Sequence, residues 1–234
     1  MVKKFWTAPL LLSFWVAACG AESAPPVRIE TVTSEEVRLS DLGQSEQTLV
    51  QGRTYRVVGR IRNIQMAPDG SPTLGFTGLI LKVEKGRELE AVRQIRPGDY
   101  VEADCTLVGV QSGIFPEMNG CRNLAFPTTV SAEDYEAAYS ANAFSADDNL
   151  KDKPLVIFGT VRVVGKLTSG EDYVSLEAQP DFSDVTAIVT PTNRHLMKTY
   201  AKMGELAVMY CQGGYRYNQA GSIGVTDCRF LQNY

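Results

Sequence analysis

The sequence predicts a mainly β chain with short helices, organised as two tandem five-stranded barrels, and three observations predict it. The cysteines come as two framed pairs. Cys105 and Cys121 are followed by Arg122 and Leu124, Cys211 and Cys228 by Arg229 and Leu231, and Gly98 and Gly204 each stand seven residues before the first cysteine of a pair. Period-two alternation of apolar and polar residues recurs in both halves, as half-buried strands require. The same order of three strands, a helix and two strands is readable twice.

Taken in order, Thr54–Gln65 opens the first half as an alternating strand, with Tyr55, Val57, Gly59 and Ile61 on one face and Arg56, Val58, Arg60 and Arg62 on the other. Pro68-Asp69-Gly70-Ser71-Pro72 is a turn. Thr73–Phe76 and Leu79–Val83 read as short strands. Gly86–Ile95 carries Leu89, Val92 and Ile95 at helical spacing, and Pro97-Gly98 stops it. Tyr100–Val110 alternates again, with Val101, Ala103, Cys105 and Leu107 inward and Glu102, Asp104 and Thr106 outward; a last strand passes through Cys121.

Leu155–Val164 opens the second half, Gly159 standing where Gly59 stands in the first. Leu167–Gly170 is a turn, Asp172–Ala178 and Val185–Thr190 are strands, and Thr192–Met203 is a helix with Leu196, Tyr200 and Met203 on its packed side. Glu205–Tyr215 and Gly221–Leu231 close the unit. Between the halves, Ser131-Ala132-Glu133-Asp134 opens a capped helix with Tyr135, Ala138 and Tyr139 on one side, ended by Asp147-Asp148-Asn149. A helix placed between the third and fourth of five strands is the order of an OB-fold, a Greek-key barrel. The expected boundaries are 1–18 for a signal peptide, 19–53 for a tether and polar lead-in with a short helix, 54–127 for barrel one, 128–153 for an inter-domain helix and linker, and 154–234 for barrel two.

Location follows from the N-terminus. Lys3 and Lys4, an uncharged stretch from Phe5 to Ala18 and small residues before Cys19 describe an export signal too short for a membrane span. Val16-Ala17-Ala18-Cys19 looks like a bacterial lipobox, which implies cleavage before Cys19 and its acylation, so that an N-terminal lipid anchors the chain to the envelope facing the periplasm or exterior. The remaining four cysteines are an even set in an exported chain, where disulfides persist. Their gaps of 16 and 17 positions do not suit zinc, whose ligands favour pairs two to four residues apart. Strands four and five would be antiparallel neighbours close enough for Cys105–Cys121 and Cys211–Cys228 bridges. After removal of residues 1–18 there remain 21 basic residues against 27 acidic ones, a net charge of −6 that argues against a broad nucleic-acid surface.

Several stretches resemble a family of exported bacterial OB-fold proteins, the tRNA-anticodon-domain-like (tRNA_anti-like) family. They are Ser131–Asn142 running into Ala146-Asp147-Asp148, Val156–Val161 around Gly159, and Asp227-Cys228, with a looser match from Arg56-Val57-Val58-Gly59 to Asn119-Gly120-Cys121-Arg122. The resemblance implies a fold and no catalytic residues.

No catalytic constellation is readable. Gly159 to Gly165-Lys166 has the wrong spacing for a phosphate loop, and Leu167 stands where a hydroxyl residue is needed. His195, beside Arg194 and Lys198, reads as a solvated surface histidine. No metal or cofactor is expected, and a non-catalytic protein is. Arg56, Arg60 and Arg62 could form a basic stripe and Tyr210, Tyr215 and Tyr217 a stacking surface, as single-strand binders require. Against that stand Glu102, Asp104 and the export signal; the tyrosines could equally pack between the barrels. The favoured expectation is therefore an envelope lipoprotein that binds or scaffolds a protein or glycan, with nucleic acid an unlikely partner. Extracytoplasmic single-stranded nucleic-acid binding is the alternative.

Overall fold

The computed structural model describes residues 29–43, 48–86, 88–109, 115–179, 184–216 and 223–232. The first half begins with β1 (Glu30–Thr33) and α1 (Ser34–Asp41), so the polar lead-in carries structure and Glu30 belongs to a strand. There follow β2 (Thr54–Arg60), β3 (Asn63–Met66), β4 (Pro72–Phe76), β5 (Leu79–Val83), α2 (Glu88–Gln94), β6 (Tyr100–Gly109) and β7 (Glu117–Ala125). They form one sheet in the order β1-β2-β6-β7-β5-β4-β3. That sheet is not closed by strand pairing, because the long opening strand expected from the sequence is interrupted at Ile61 and Arg62. There the chain passes from one neighbour to the other: the Ile61 N–H donates to the Asp99 carbonyl and the Arg62 N–H to the Gly75 carbonyl, both at 2.8 Å.

The second half begins with β8 (Thr128–Ser131), α3 (Ala132–Ala141) and α4 (Ala143–Leu150). The chain breaks its helix at Asn142, whose side chain caps α4, so Asp147-Asp148-Asn149 lies inside a second helix instead of ending the first. Next come β9 (Pro154–Lys166), β10 (Asp172–Glu177) and β11 (Asp184–Val189). A 3-10 turn (Pro191–Leu196) runs into the single helical turn α5 (Met197–Tyr200), and Met203 is exposed, so the packed helix expected to reach it is shorter. β12 (Leu206–Arg216) and β13 (Ile223–Leu231) complete the set. β9 pairs with both β10 and β12, β11 runs parallel to β13, and β12 lies antiparallel to β13. Five strands are thereby joined in a ring. The closed barrel is an OB-fold.

Alternation explains its core. Val174 and Leu176 of β10, Val185, Ala187 and Val189 of β11, and Met209 and Phe230 point inward and are buried. α3 stoppers one end with Tyr135 and Tyr139: the Tyr139 hydroxyl donates to the Gly214 carbonyl at 2.9 Å, and the Gly214 N–H donates to the Tyr135 hydroxyl at 3.1 Å. Glycine is required next to that contact, since a Cβ on Gly213 would sit 1.7 Å from the Leu150 carbonyl oxygen. Gly59 and Gly159 have a packing role. A Cβ on Gly59 would meet Ser34 Oγ at 2.8 Å, and one on Gly159 would meet the Ala132 Cβ at 3.0 Å.

Both expected disulfides form, Cys105–Cys121 between β6 and β7 and Cys211–Cys228 between β12 and β13, each with Cα atoms 4.2 Å apart. The halves meet through a small apolar cluster of Val58 and Tyr100 against Val156, Phe158, Val208, Tyr210 and Leu231. The contact therefore uses the outer faces of β2 and β6 on one side and of β9, β12 and β13 on the other. Val58, on the face the sequence reads as outward, is fully buried for this reason.

Candidate ligand-binding face

The arginines and tyrosines singled out from the sequence do not assemble into one open surface. Arg56 makes a bidentate pair with Asp104, at 2.8 and 3.2 Å, across the β2–β6 register. Asn123 Nδ2 adds a third donor to that carboxylate at 3.0 Å. Burial pushes the Asp104 carboxyl up, but the hydrogen bonds from Arg56 and Asn123 outweigh it and leave it below the usual carboxylate range. Arg60 donates to the Gly98 carbonyl and Arg62 to the Thr77 hydroxyl. Tyr210 is buried between the halves, its hydroxyl donating to Glu102 at 2.7 Å, and burial with that carboxylate beside it pushes the phenol well above its usual range. Of the two expected uses of that tyrosine, packing between the halves is the one observed. Glu102 and Asp104, read as outward-facing, are buried by this contact and by Arg56. The Tyr215 side chain, Tyr217 and Cys19 lie outside the described residues.

A second polar network, not foreseen from the sequence, runs from α1 into the barrel. Thr33 caps α1 in a reciprocal box with Glu36. The buried Glu36 carboxylate also accepts from Asn193 Nδ2 at 2.5 Å and from Arg229 Nη1 at 2.7 Å. Burial pushes the Glu36 carboxyl up, against the opposing pull of Arg229. The neighbouring Glu35 accepts from Arg38 and from the Tyr200 hydroxyl. The signal in the sequence was the Thr-x-x-Glu box at residues 33–36; its reach into the other half had none.

His195 departs from its expected place in solvent. Both ring nitrogens are shielded and have no hydrogen-bond partner among the described residues. Among those residues no group of His, Cys, Asp and Glu side chains could hold a metal ion, and no helix is long and apolar enough to cross a membrane.

The outer face of β10 and β11 takes no part in the contact between the halves; on it Tyr173 and Thr186 are half-buried and Glu177 is exposed, while Ser175 and Ile188 are buried among their neighbours. Register places Tyr173 beside Ile188, Ser175 beside Thr186 and Glu177 beside Asp184, with Val163 and Gly165 of β9 alongside. The Tyr173 ring lies against Gly165, where a Cβ would come within 3.0 Å of it. Arg162 holds Glu177 at 3.1 Å and Asp184 at 3.0 Å, and Ser175 donates to Asp184. At one end the face opens into a cleft of about 570 Å³ lined by Lys166, Asp172, Ile188, Thr190, Arg194 and Asp227, among others. Lys166 and Arg194 approach the Asp172 carboxylate from two sides, at 3.5 and 3.2 Å, and both are more than half exposed. The outward phase of Asp172–Ala178 made Tyr173 findable from sequence; the cleft was not.

No protein-family model and no curated protein sequence matches this chain, so the tRNA_anti-like resemblance has no such match behind it. Solved structures do share parts of its fold. One, titled as a "putative nucleic acid-binding lipoprotein" of Klebsiella pneumoniae, is 13% identical with a TM-score of 0.38, over 45% of this chain and 92% of the other. Fission yeast Pot1 with single-stranded DNA is 9% identical with a TM-score of 0.23, over 85% and 83%. The single-stranded DNA binding protein of Thermus aquaticus is 11% identical with a TM-score of 0.23, over 76% and 93%. These matches correct the expectation that nucleic acid is an unlikely partner: the structures to which this chain is similar include proteins solved with DNA.

Proposed function

We propose that this chain is a lipid-anchored, non-catalytic envelope protein that binds single-stranded nucleic acid on the β10–β11 face of its barrel. The observation that carries the reading is which faces are free. The halves bury the outer faces of their first and fourth strands against each other, whereas strands two and three of the barrel take no part in that contact and keep Tyr173 and Thr186 half-exposed. That face is where OB-folds take oligonucleotides and oligosaccharides. Tyr173, half-exposed and laid over Gly165, offers a stacking ring in its middle, and Lys166 and Arg194 offer cations at its end. Stacking on an aromatic ring with cations tracking the backbone is how single strands are held without sequence preference.

The first half is, in this reading, an opened version of the same unit, each unit taking in the strand and helix before it. Supporting this, β1 pairs parallel with β2 as β8 does with β9. Thr31-Val32-Thr33-Ser34-Glu35-Glu36 matches Thr129-Val130-Ser131-Ala132-Glu133-Asp134 by position and chemistry. The units then run over 30–125 and 128–231, in place of barrels that begin at 54 and 154.

Fluorescence anisotropy with labelled single strands at low salt tests the binding. Affinity is expected to fall steeply as salt rises, and Tyr173→Ala to weaken it by about tenfold, the order of one lost base stack. A flat titration contradicts the reading. The anchor is tested separately, since Cys19→Ser should move the protein from the membrane to the soluble fraction.

A further inference from the structure

Asp227 has a left-handed backbone, φ 51°, in a β-bulge just before Cys228. The equivalent position before Cys121 is Gly120, φ 61°, for which that conformation carries no penalty. The same bulge is thus built once with the residue suited to it and once with an acid. The acid is not needed to satisfy the fold: the Asp227 carboxylate is exposed and makes no hydrogen bond or ion pair among the described residues. It lines the cleft that also holds Lys166 and Arg194. Backbone strain kept at an exposed, unpartnered side chain in a concave site is an observation that points to function.

We infer that this cleft reads a guanine base of the bound strand, with the Asp227 carboxylate accepting from the base edge while Lys166 and Arg194 face its phosphates. This rests on the single-strand reading above. A carboxylate presents two acceptor oxygens side by side and no donor. Guanine is the base whose Watson–Crick edge offers two adjacent donors, the ring N–H and the exocyclic amino group; the other bases offer one. Unpaired bases are commonly read on that edge. A volume of about 570 Å³ lies within the range that encloses a small organic ligand.

The test compares anisotropy titrations of an oligothymidylate, the same strand with two guanines, and that strand with inosines, which lack the amino group, in their place. The guanine strand is expected to bind about tenfold tighter than the other two. Asp227→Asn, which keeps a residue that tolerates the left-handed conformation, should abolish that preference and leave the melting temperature unchanged. Equal binding of all three strands by the wild type, or a preference that survives Asp227→Asn, overturns the guanine site while the single-strand reading stands. A large fall in melting temperature for Asp227→Gly would make the residue structural and would also overturn it. Absence of binding by every strand removes both readings.

Discussion

The two halves of this molecule follow one hydrogen-bonding plan and use it differently. Tyr55 faces Cys105 and Gly59 faces Val101; Leu155 faces Cys211 and Gly159 faces Ala207. Asn63 and Gln65 face Gly75 and Thr73; Val163 and Gly165 face Ser175 and Tyr173. Even where the first half interrupts its opening strand, Ile61 accepts from the Gly98 N–H and donates to the Asp99 carbonyl, as Val161 accepts from Gly204 and donates to Glu205 in the second. The backbone plan therefore does not determine the surface. Charge placement does: α1 sends Glu35 and Glu36 into the other half, whereas Glu133 and Asp134, at the matching helix start, are exposed. One cap motif serves as a latch in one place and only as a cap in the other.

The largest test of that contrast concerns the arginine after each second cysteine. Arg229 is 13% exposed and faces the buried Glu36, whereas Arg122 is exposed. Arg229→Ala should cost about 3–5 kcal/mol in urea denaturation, because it strands a buried carboxylate. Arg122→Ala should stay within about 0.5 kcal/mol. Equal effects would break the distinction between latch and cap. Next in size, Gly59→Ala and Gly159→Ala should each cost about 1–3 kcal/mol by overpacking the helix start against the strand. An effect confined to one of them would show that the two helix–strand contacts are not equivalent.

Tyr210→Phe removes the donor to the buried Glu102 between the halves, and a loss of about 1–3 kcal/mol is expected in the same measurement. The smallest effects are those of pH, and they have opposite signs in the two networks. The Glu36 carboxyl is raised in the folded state, so its favourable contribution is full at acid pH and is lost as pH rises through the folded value. Asp104 is lowered, so its contribution is full above the unfolded value and is lost as pH falls through the folded one. Denaturation between pH 3 and 7, with values read on the scale of ordinary carboxylates near about 4, should show wild type gaining on Glu36→Gln toward acid. Relative to Asp104→Asn it should lose ground in the same direction.

Much of the fold was legible because it is written in short-range pattern. Alternation placed Tyr100–Gly109 and the strands around it, and the framed cysteines set both disulfides. The strands β1 and β8 that precede each helix were not read: their four-residue length and polarity put the first in a tether and polar lead-in and the second in an inter-domain helix and linker. The binding face was less accessible. Arg56 and Tyr210 look free in sequence because nothing local reveals Asp104 or Glu102, which lie 48 and 108 residues away. An outward position on a strand becomes interior when another half covers it. Tyr173 stays half-exposed because the contact between the halves does not take in β10 or β11, and that is a property of the assembled molecule.

The most direct test of the free-face account is an amide chemical-shift map during titration with a short single-stranded oligonucleotide. Shifts are expected at Val163, Tyr173–Ser175 and Thr186–Ile188 and around Lys166 and Arg194, with Val58, Val156 and Val208 unmoved. Shifts centred on the contact between the halves, or none at any residue, would contradict it.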